Sequence, residues 1–150
     1  MRIIDEIVSS PGDKVVLDFG AGTGGGWADT LQHHPEIKLY CYEPSRSAVT
    51  LAERVPSANI ISQEKLNDGS LNVDYIVSFS VLEHVYDRRA YLEAVHKHLA
   101  KSGKLFLNYD DGHFRKALDL NAPAHWADNL REHLTNTWAN VWPNLGMIGK

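Results

Sequence analysis

Apolar positions along the chain fall into two alternating periodicities. Short runs dense in apolar residues (Lys14 to Phe19, Ile37 to Tyr42, Ala58 to Ser62, Val73 to Ser80 and Lys104 to Tyr109) read as strands, and the stretches between them carry helical spacing. Helices are predicted from about Trp27 to His33 and from about Ser45 to Arg54, ended by Pro35 and Pro56. Another begins at Asp87, carries Tyr91, Leu92, Val95 and Leu99 on one stripe, and closes at Lys101-Ser102-Gly103. Asn67-Asp68-Gly69-Ser70 is a turn. From Asn121 a cap and Pro123 open a last helix with Trp126, Leu130, Leu134, Trp138 and Val141 on its apolar positions, broken by Trp142 to Gly146.

Alternation of this kind predicts an α/β fold: a three-layer sandwich around a mostly parallel, doubly wound sheet. Val73 to Ser80 is apolar enough to be covered on both faces. Residues 1–150 read as one domain, with 111–150 a mainly helical C-terminal segment.

Composition narrows the function. With 43% hydrophobic and 23% charged residues the chain is of ordinary globular make-up, and its net charge of −4 leaves no basic stripe for nucleic acid. Cys41, the single cysteine, excludes an intrachain disulfide and reads as a small buried strand residue. Ile3, Ile4, Ile7 and Val8 are interrupted by Asp5 and Glu6, so no signal-peptide core is present, and no uncharged apolar run reaches the roughly 20 residues of a membrane helix. A cytoplasmic location, a small-molecule substrate, no nucleic acid and no membrane are the expectations.

The chemistry concentrates after the first two strands. Gly20, Gly22, Gly24 and Gly25 follow a strand and open a helix, where glycines let backbone approach a ligand. Gly20, Gly22 and Gly25 satisfy the dinucleotide spacing, which leaves a nicotinamide cofactor open; Gly20, Gly22 and Gly24 satisfy G-x-G-x-G. Glu43 ends the second strand, where a carboxylate can accept hydrogen bonds from both hydroxyls of a ribose.

From about Lys14 to Tyr109 the chain resembles the class I S-adenosylmethionine (SAM)-dependent methyltransferases. Asp18-Phe19-Gly20-Ala21-Gly22-Thr23-Gly24 is similar to that family's first motif, and Tyr42-Glu43-Pro44-Ser45 to its acidic second-strand end. Val73 to Val85 resembles the fourth strand and following loop of its small-molecule members, and Leu99 to Leu105 its helix-to-strand turn, with Ser102 and Lys104 departing from the usual residues. The resemblance implies SAM as cofactor and a strand order 3-2-1-4-5. It places Asp18, Gly20 and Gly22 beside the methionine part, Glu43 at the ribose, Ser62 and Gln63 at the adenine, and Phe79, Ser80 and Leu82 over the cofactor, with Ala21, Gly24 and Pro44 also among the cofactor-binding residues. Complete family members add two more strands, which residues 111–150 do not show; a homodimer or a larger parent chain would then cover the fifth strand.

Methyl transfer to a hydroxyl needs one proton removed, and candidate bases belong past the strand ends. His84 and the cluster Asp110, Asp111 and His113 qualify, although a packing residue and an Asp-held turn are the plain alternatives. A divalent cation on Asp110 and Asp111 is chemically reasonable, but no histidine spacing supports one and no metal is expected. The acidic, histidine-bearing fifth-strand loop favours a hydroxyl acceptor on a sugar or natural-product metabolite. A SAM-binding domain that transfers nothing is the rival expectation.

Overall fold

The computed structural model describes residues 3–82 and 88–108. Along the chain run α1 (Ile3–Ser9), β1 (Lys14–Phe19), α2 (Trp27–His33), β2 (Ile37–Tyr42), α3 (Ser47–Arg54), β3 (Asn59–Ile60), α4 (Gln63–Asn67), β4 (Val73–Phe79), α5 (Arg88–His98) and β5 (Leu99–Asn108). The five strands form one sheet in the order β3-β2-β1-β4-β5, and every pairing is parallel. The expected α/β architecture and strand order are present.

Parallel strands hidden between helical layers need apolar residues on both faces, and the sheet has two cores. On one face Val16, Leu39, Cys41, Tyr75 and Val77 pack with Ile7 of α1, Trp27 of α2, Leu51 of α3 and Val55 at the C-cap of α3. On the other, Leu17, Phe19, Tyr42 and Ile76 pack with Leu66 of α4 and Tyr91 and Val95 of α5. Phe19 meets Tyr42 at 5.6 Å and the edge of Tyr91 at 5.1 Å between ring centroids, and the Tyr91 hydroxyl is hydrogen-bonded to buried Ser78. The helix after β1 thus lies on one face and the helix after β4 on the other, so the chain changes sides between these neighbouring strands.

Several boundaries differ from the sequence reading. α3 starts at Ser47 rather than Ser45, because the Ser45 N–H is bound by Glu43 and its hydroxyl accepts from the N–H of Ser47 at 3.1 Å. β3 stops at Ile60, and Ser62 caps a short helix that the apolar pattern does not show, accepting from Lys65 N at 3.3 Å. On α5 the buried stripe is Tyr91, Val95 and His98, while Leu92 is 41% exposed. His98 replaces the expected Leu99 because its Nε2 meets the Leu66 carbonyl at 2.6 Å; Nδ1 is buried without a partner, and burial holds the imidazole pKa below its usual value.

The Lys101-Ser102-Gly103 turn is absorbed into β5. Val73 pairs Leu99 and Tyr75 pairs Lys104, so the intervening residues bulge out of the ladder before the run Lys104–Asn108 continues in register with β4. Leu105, Phe106 and Leu107 are only half-buried, since β5 is an edge among the described residues. Asp87, Tyr109 and the helix expected from Asn121 lie outside them.

Gly24 fixes the distance between the glycine loop and α3. Its φ is 72°, and a Cβ added there would lie 2.6 Å from Leu51 Cδ1 and from Val55 Cγ2. Gly25 has nothing within 4 Å and no positive φ. Gly24→Ala is expected to destabilise the fold by about 2–5 kcal/mol through left-handed strain and overpacking, whereas Gly25→Ala should stay within about 0.5 kcal/mol. Urea denaturation of the two variants checks the contrast.

Candidate functional site

β1 ends at Phe19, and the chain leaves the sheet through two backbone donors aimed at one acceptor. The N–H groups of Gly20 and Ala21 both meet the Tyr42 carbonyl, at 2.8 and 3.1 Å. The loop then closes on itself, with Gly24 N–H on the Ala21 carbonyl at 2.9 Å and Trp27 N–H on the Gly24 carbonyl at 3.1 Å. Gly20, Gly22 and Gly24 all have positive φ and Gly25 does not. This backbone follows the G-x-G-x-G spacing rather than the dinucleotide one. Gly22 faces open space, and Gly24 is given to packing against α3.

Glu43, at the end of β2, is the loop's second anchor. Its Oε2 accepts from Gly22 N–H at 2.7 Å and its Oε1 from Ser45 N–H at 2.8 Å, with Pro44 inside that short turn. A carboxylate has about four acceptor positions, so two backbone donors orient it without exhausting it. Across the loop, Asp18 is 8% exposed and accepts from Trp27 Nε1 at 2.7 Å. Burial raises the Asp18 carboxyl to about 6; the indole hydrogen bond opposes the shift, and the nearby Glu43 charge adds to it. Burial also pushes the Cys41 thiol and the Tyr42 phenol well above their usual values, so both stay neutral.

Ser62 and Gln63 stand at the end of β3, on the same rim of the sheet, and both are already engaged. The Ser62 hydroxyl caps α4, and Gln63 takes the Tyr42 hydroxyl on Oε1 and gives Nε2 to Asn67 at 2.9 Å. Of the segment after β4, Phe79 is 37% exposed and Ser80 is open, whereas Val81 is buried and Leu82 packs on the core. Ser80 has φ 55°, the one positive value among described non-glycine residues, and its N–H is held by Asn108 Oδ1 at 2.9 Å.

All these groups line the carboxyl ends of the strands, where β1 and β4 send their connections to opposite faces; open α/β sheets bind ligands at such a switch point. A cavity of about 650 Å³ lies instead at the amino ends, among Lys14, Glu36, Lys38 and Asn59. It is remote from this chemistry. The roles of Trp27 and Asn108 escaped the sequence reading, because a core tryptophan and a strand-end asparagine carry no pattern until their partners are known. The candidate bases His84, Asp110, Asp111 and His113 lie outside the described residues. Among the described ones no three His, Cys, Asp or Glu side chains converge as metal ligands, and no helix is long and apolar enough to cross a membrane.

The fold is shared with solved methyltransferases. Coclaurine N-methyltransferase, bound to N-methylheliamine and S-adenosylhomocysteine (SAH), superposes with a TM-score of 0.56 at 17% identity over 69% of this chain and 33% of its own. The O-methyltransferase of a trans-AT polyketide synthase multienzyme from Brevibacillus brevis, in complex with SAH, gives 0.54 at 22% identity over 61% of this chain and 34% of its own. The plantazolicin methyltransferase in complex with SAH gives 0.56 at 15% identity over 87% of this chain and 59% of its own. The chain thus spans between a third and three-fifths of the length of these structures. No curated protein matches it. A family model described as a methyltransferase domain matches residues 1–144, and with the sheet order, the glycine loop and the strand-end carboxylate already in place, the chain belongs to the class I SAM-dependent methyltransferases.

Proposed function

We propose that this chain transfers the methyl group of SAM to a small-molecule acceptor, a hydroxyl on a sugar or natural-product metabolite. The observation that carries the reading is the Glu43 carboxylate, tied by Gly22 and Ser45 at the rim where β2 ends and still able to accept from two ribose hydroxyls. Gly22, with open space over its α-carbon, leaves room for the methionine part, and Asp18 supplies a carboxylate beside it. The Ser62 hydroxyl donates to the Glu64 carboxylate and accepts a long bond from Lys65 N, which leaves it a lone pair for the adenine amine, and Gln63 stands next to it. Phe79 and Ser80, exposed where β4 ends, and Leu82, packed behind them, are the residues proposed to close over the cofactor.

SAM supplies an activated methyl group on a sulfonium, so the chain's own tasks are alignment and removal of one proton from a hydroxyl. His84, Asp110, Asp111 and His113 are the proposed bases, following the ends of β4 and β5. The net charge of −4 argues for a small acceptor over a nucleic acid. A second reading, a SAM-binding domain of a longer enzyme, is favoured by the half-exposed apolar edge of β5 and by the share of the solved structures that the chain spans. A partner copy or further sequence would cover that edge.

Calorimetry is expected to show binding of SAM and SAH and none of nicotinamide dinucleotides; the reverse would end the proposal. Glu43→Ala should weaken SAM by about 2–3 kcal/mol by removing two charge-assisted hydrogen bonds, and unchanged affinity would remove the ribose assignment. Incubation with SAM and matched sugars, phenols and amines should release SAH with hydroxyl acceptors. Turnover of amines alone overturns the acceptor, and binding without turnover on any acceptor selects the second reading.

A further inference from the structure

Asp18 and Trp27 form a buried pair whose two ends differ. Trp27 is 3% exposed and closes the core face of α2, yet its one polar atom is spent on Asp18 Oδ2 at 2.7 Å. Oδ1 accepts no hydrogen bond among the described residues, and it is not sealed in, because the only fully buried side-chain nitrogen or oxygen lacking a partner there is Nδ1 of His98. A carboxylate nine-tenths buried therefore keeps one oxygen without a partner among the described residues, at the end of β1 beside the glycine loop.

We propose that Trp27 is a positioning residue of the cofactor site: its indole N–H holds Asp18 so that the free oxygen meets the ammonium group of the methionine part of SAM. The inference rests on the reading that places Asp18 beside that part. Indole N–H is a donor and never an acceptor, so Oδ2 must stay unprotonated while the bond holds, and the bond is stronger to the ionised carboxylate than to the neutral acid. The pair also ties the start of α2 to the end of β1, across the loop that must hold its shape for the ligand.

Proton linkage follows. The groups facing Asp18 are Cys41, its register partner on β2, with Tyr42 and Glu43 beyond it; Val77, its partner on β4, does not titrate, and α2 presents Trp27. The thiol and the phenol stay neutral, which leaves Glu43 as the charge acting on Asp18. In the cofactor-free chain Asp18 takes up its proton at about pH 6, and a cationic ligand must displace it. Affinity is then level above that pH and falls by about tenfold for each unit below it. Removing the indole donor withdraws the influence that lowers the Asp18 pKa, so the break moves to higher pH.

The test is calorimetric titration with SAH, from about pH 5 to about pH 8 to bracket the Asp18 carboxyl, of the parent, Trp27→Phe and Asp18→Asn. The Asp18 carboxyl carbon is followed by NMR in the cofactor-free parent and Trp27→Phe. The parent should break near the Asp18 pKa and release a proton on binding below it. Trp27→Phe should bind SAH about tenfold more weakly at neutral pH, recover toward the parent at the alkaline end, and show a raised Asp18 titration without ligand. Asp18→Asn keeps the volume and an acceptor for the indole, so it stays testable even if Trp27→Phe does not fold; it should bind weakly with no break. A Trp27→Phe profile identical to the parent's, or an Asp18→Asn variant with the parent's affinity, overturns the proposal and leaves Trp27 a core residue. A parent that binds no SAH at any pH refutes the cofactor reading itself, while the ligand-free NMR comparison still reports on the pair.

Discussion

The structure depends on β1 being the central strand of a sheet covered on both sides. Its backbone groups are taken up by β2 on one edge and β4 on the other, in parallel register, so nothing can pair with the chain once it passes Phe19. The next two N–H groups must find an acceptor immediately, and the Tyr42 carbonyl at the end of β2 takes both. That requirement turns the chain sharply, calls for positive φ at Gly20, and delivers the loop to the end of β2, which Glu43 immediately follows. The site is a consequence of where the central strand runs out of partners.

Two carboxylates are brought close by this geometry, and they are stabilised differently. Glu43 takes two backbone N–H groups, which fix its orientation. Asp18 is buried, has a single donor, and feels the Glu43 charge, so its ionised form is unfavourable in the free chain. Ionisation of a carboxyl whose folded pKa is raised makes the folded state less stable as pH rises from the unfolded value toward the folded one. The free fold therefore carries strain at neutral pH that a cation placed on Asp18 relieves.

Most of the sheet could be read from the sequence because parallel strands between two helical layers are written as dense apolar runs, and β1, β2 and β4 appear almost residue for residue. The errors occur where short-range hydrogen bonds override apolar periodicity. Ser62 starts a helix by capping it, Ser45 is held out of one by Glu43, and His98 enters the core in exchange for a bond to the Leu66 carbonyl. The glycines and Glu43 were legible because their spacing is a motif. Trp27 and Asn108 were not, since each acquires a role only through a partner brought near by the fold: Asp18 across the glycine loop, and Ser80 just past the end of the neighbouring strand.

Ser80 shows how the second wall of the site is kept. A non-glycine residue in the left-handed region costs about 1–2 kcal/mol and persists only where its surroundings over-determine it. Here the determinants lie on both sides: Ser78 is anchored in the core by Tyr91, Val81 is buried just beyond, and Asn108 captures the Ser80 N–H from the end of β5. The kink turns the chain off β4 at the level where β1 becomes the glycine loop, leaving Phe79 and Ser80 open while Val81 and Leu82 return to the core. A regular continuation of β4 would run on beside β5 and carry the chain away from the loop. The strain thus sits at the switch point, and the β4–β5 register that places Asn108 opposite Phe79 is what maintains it.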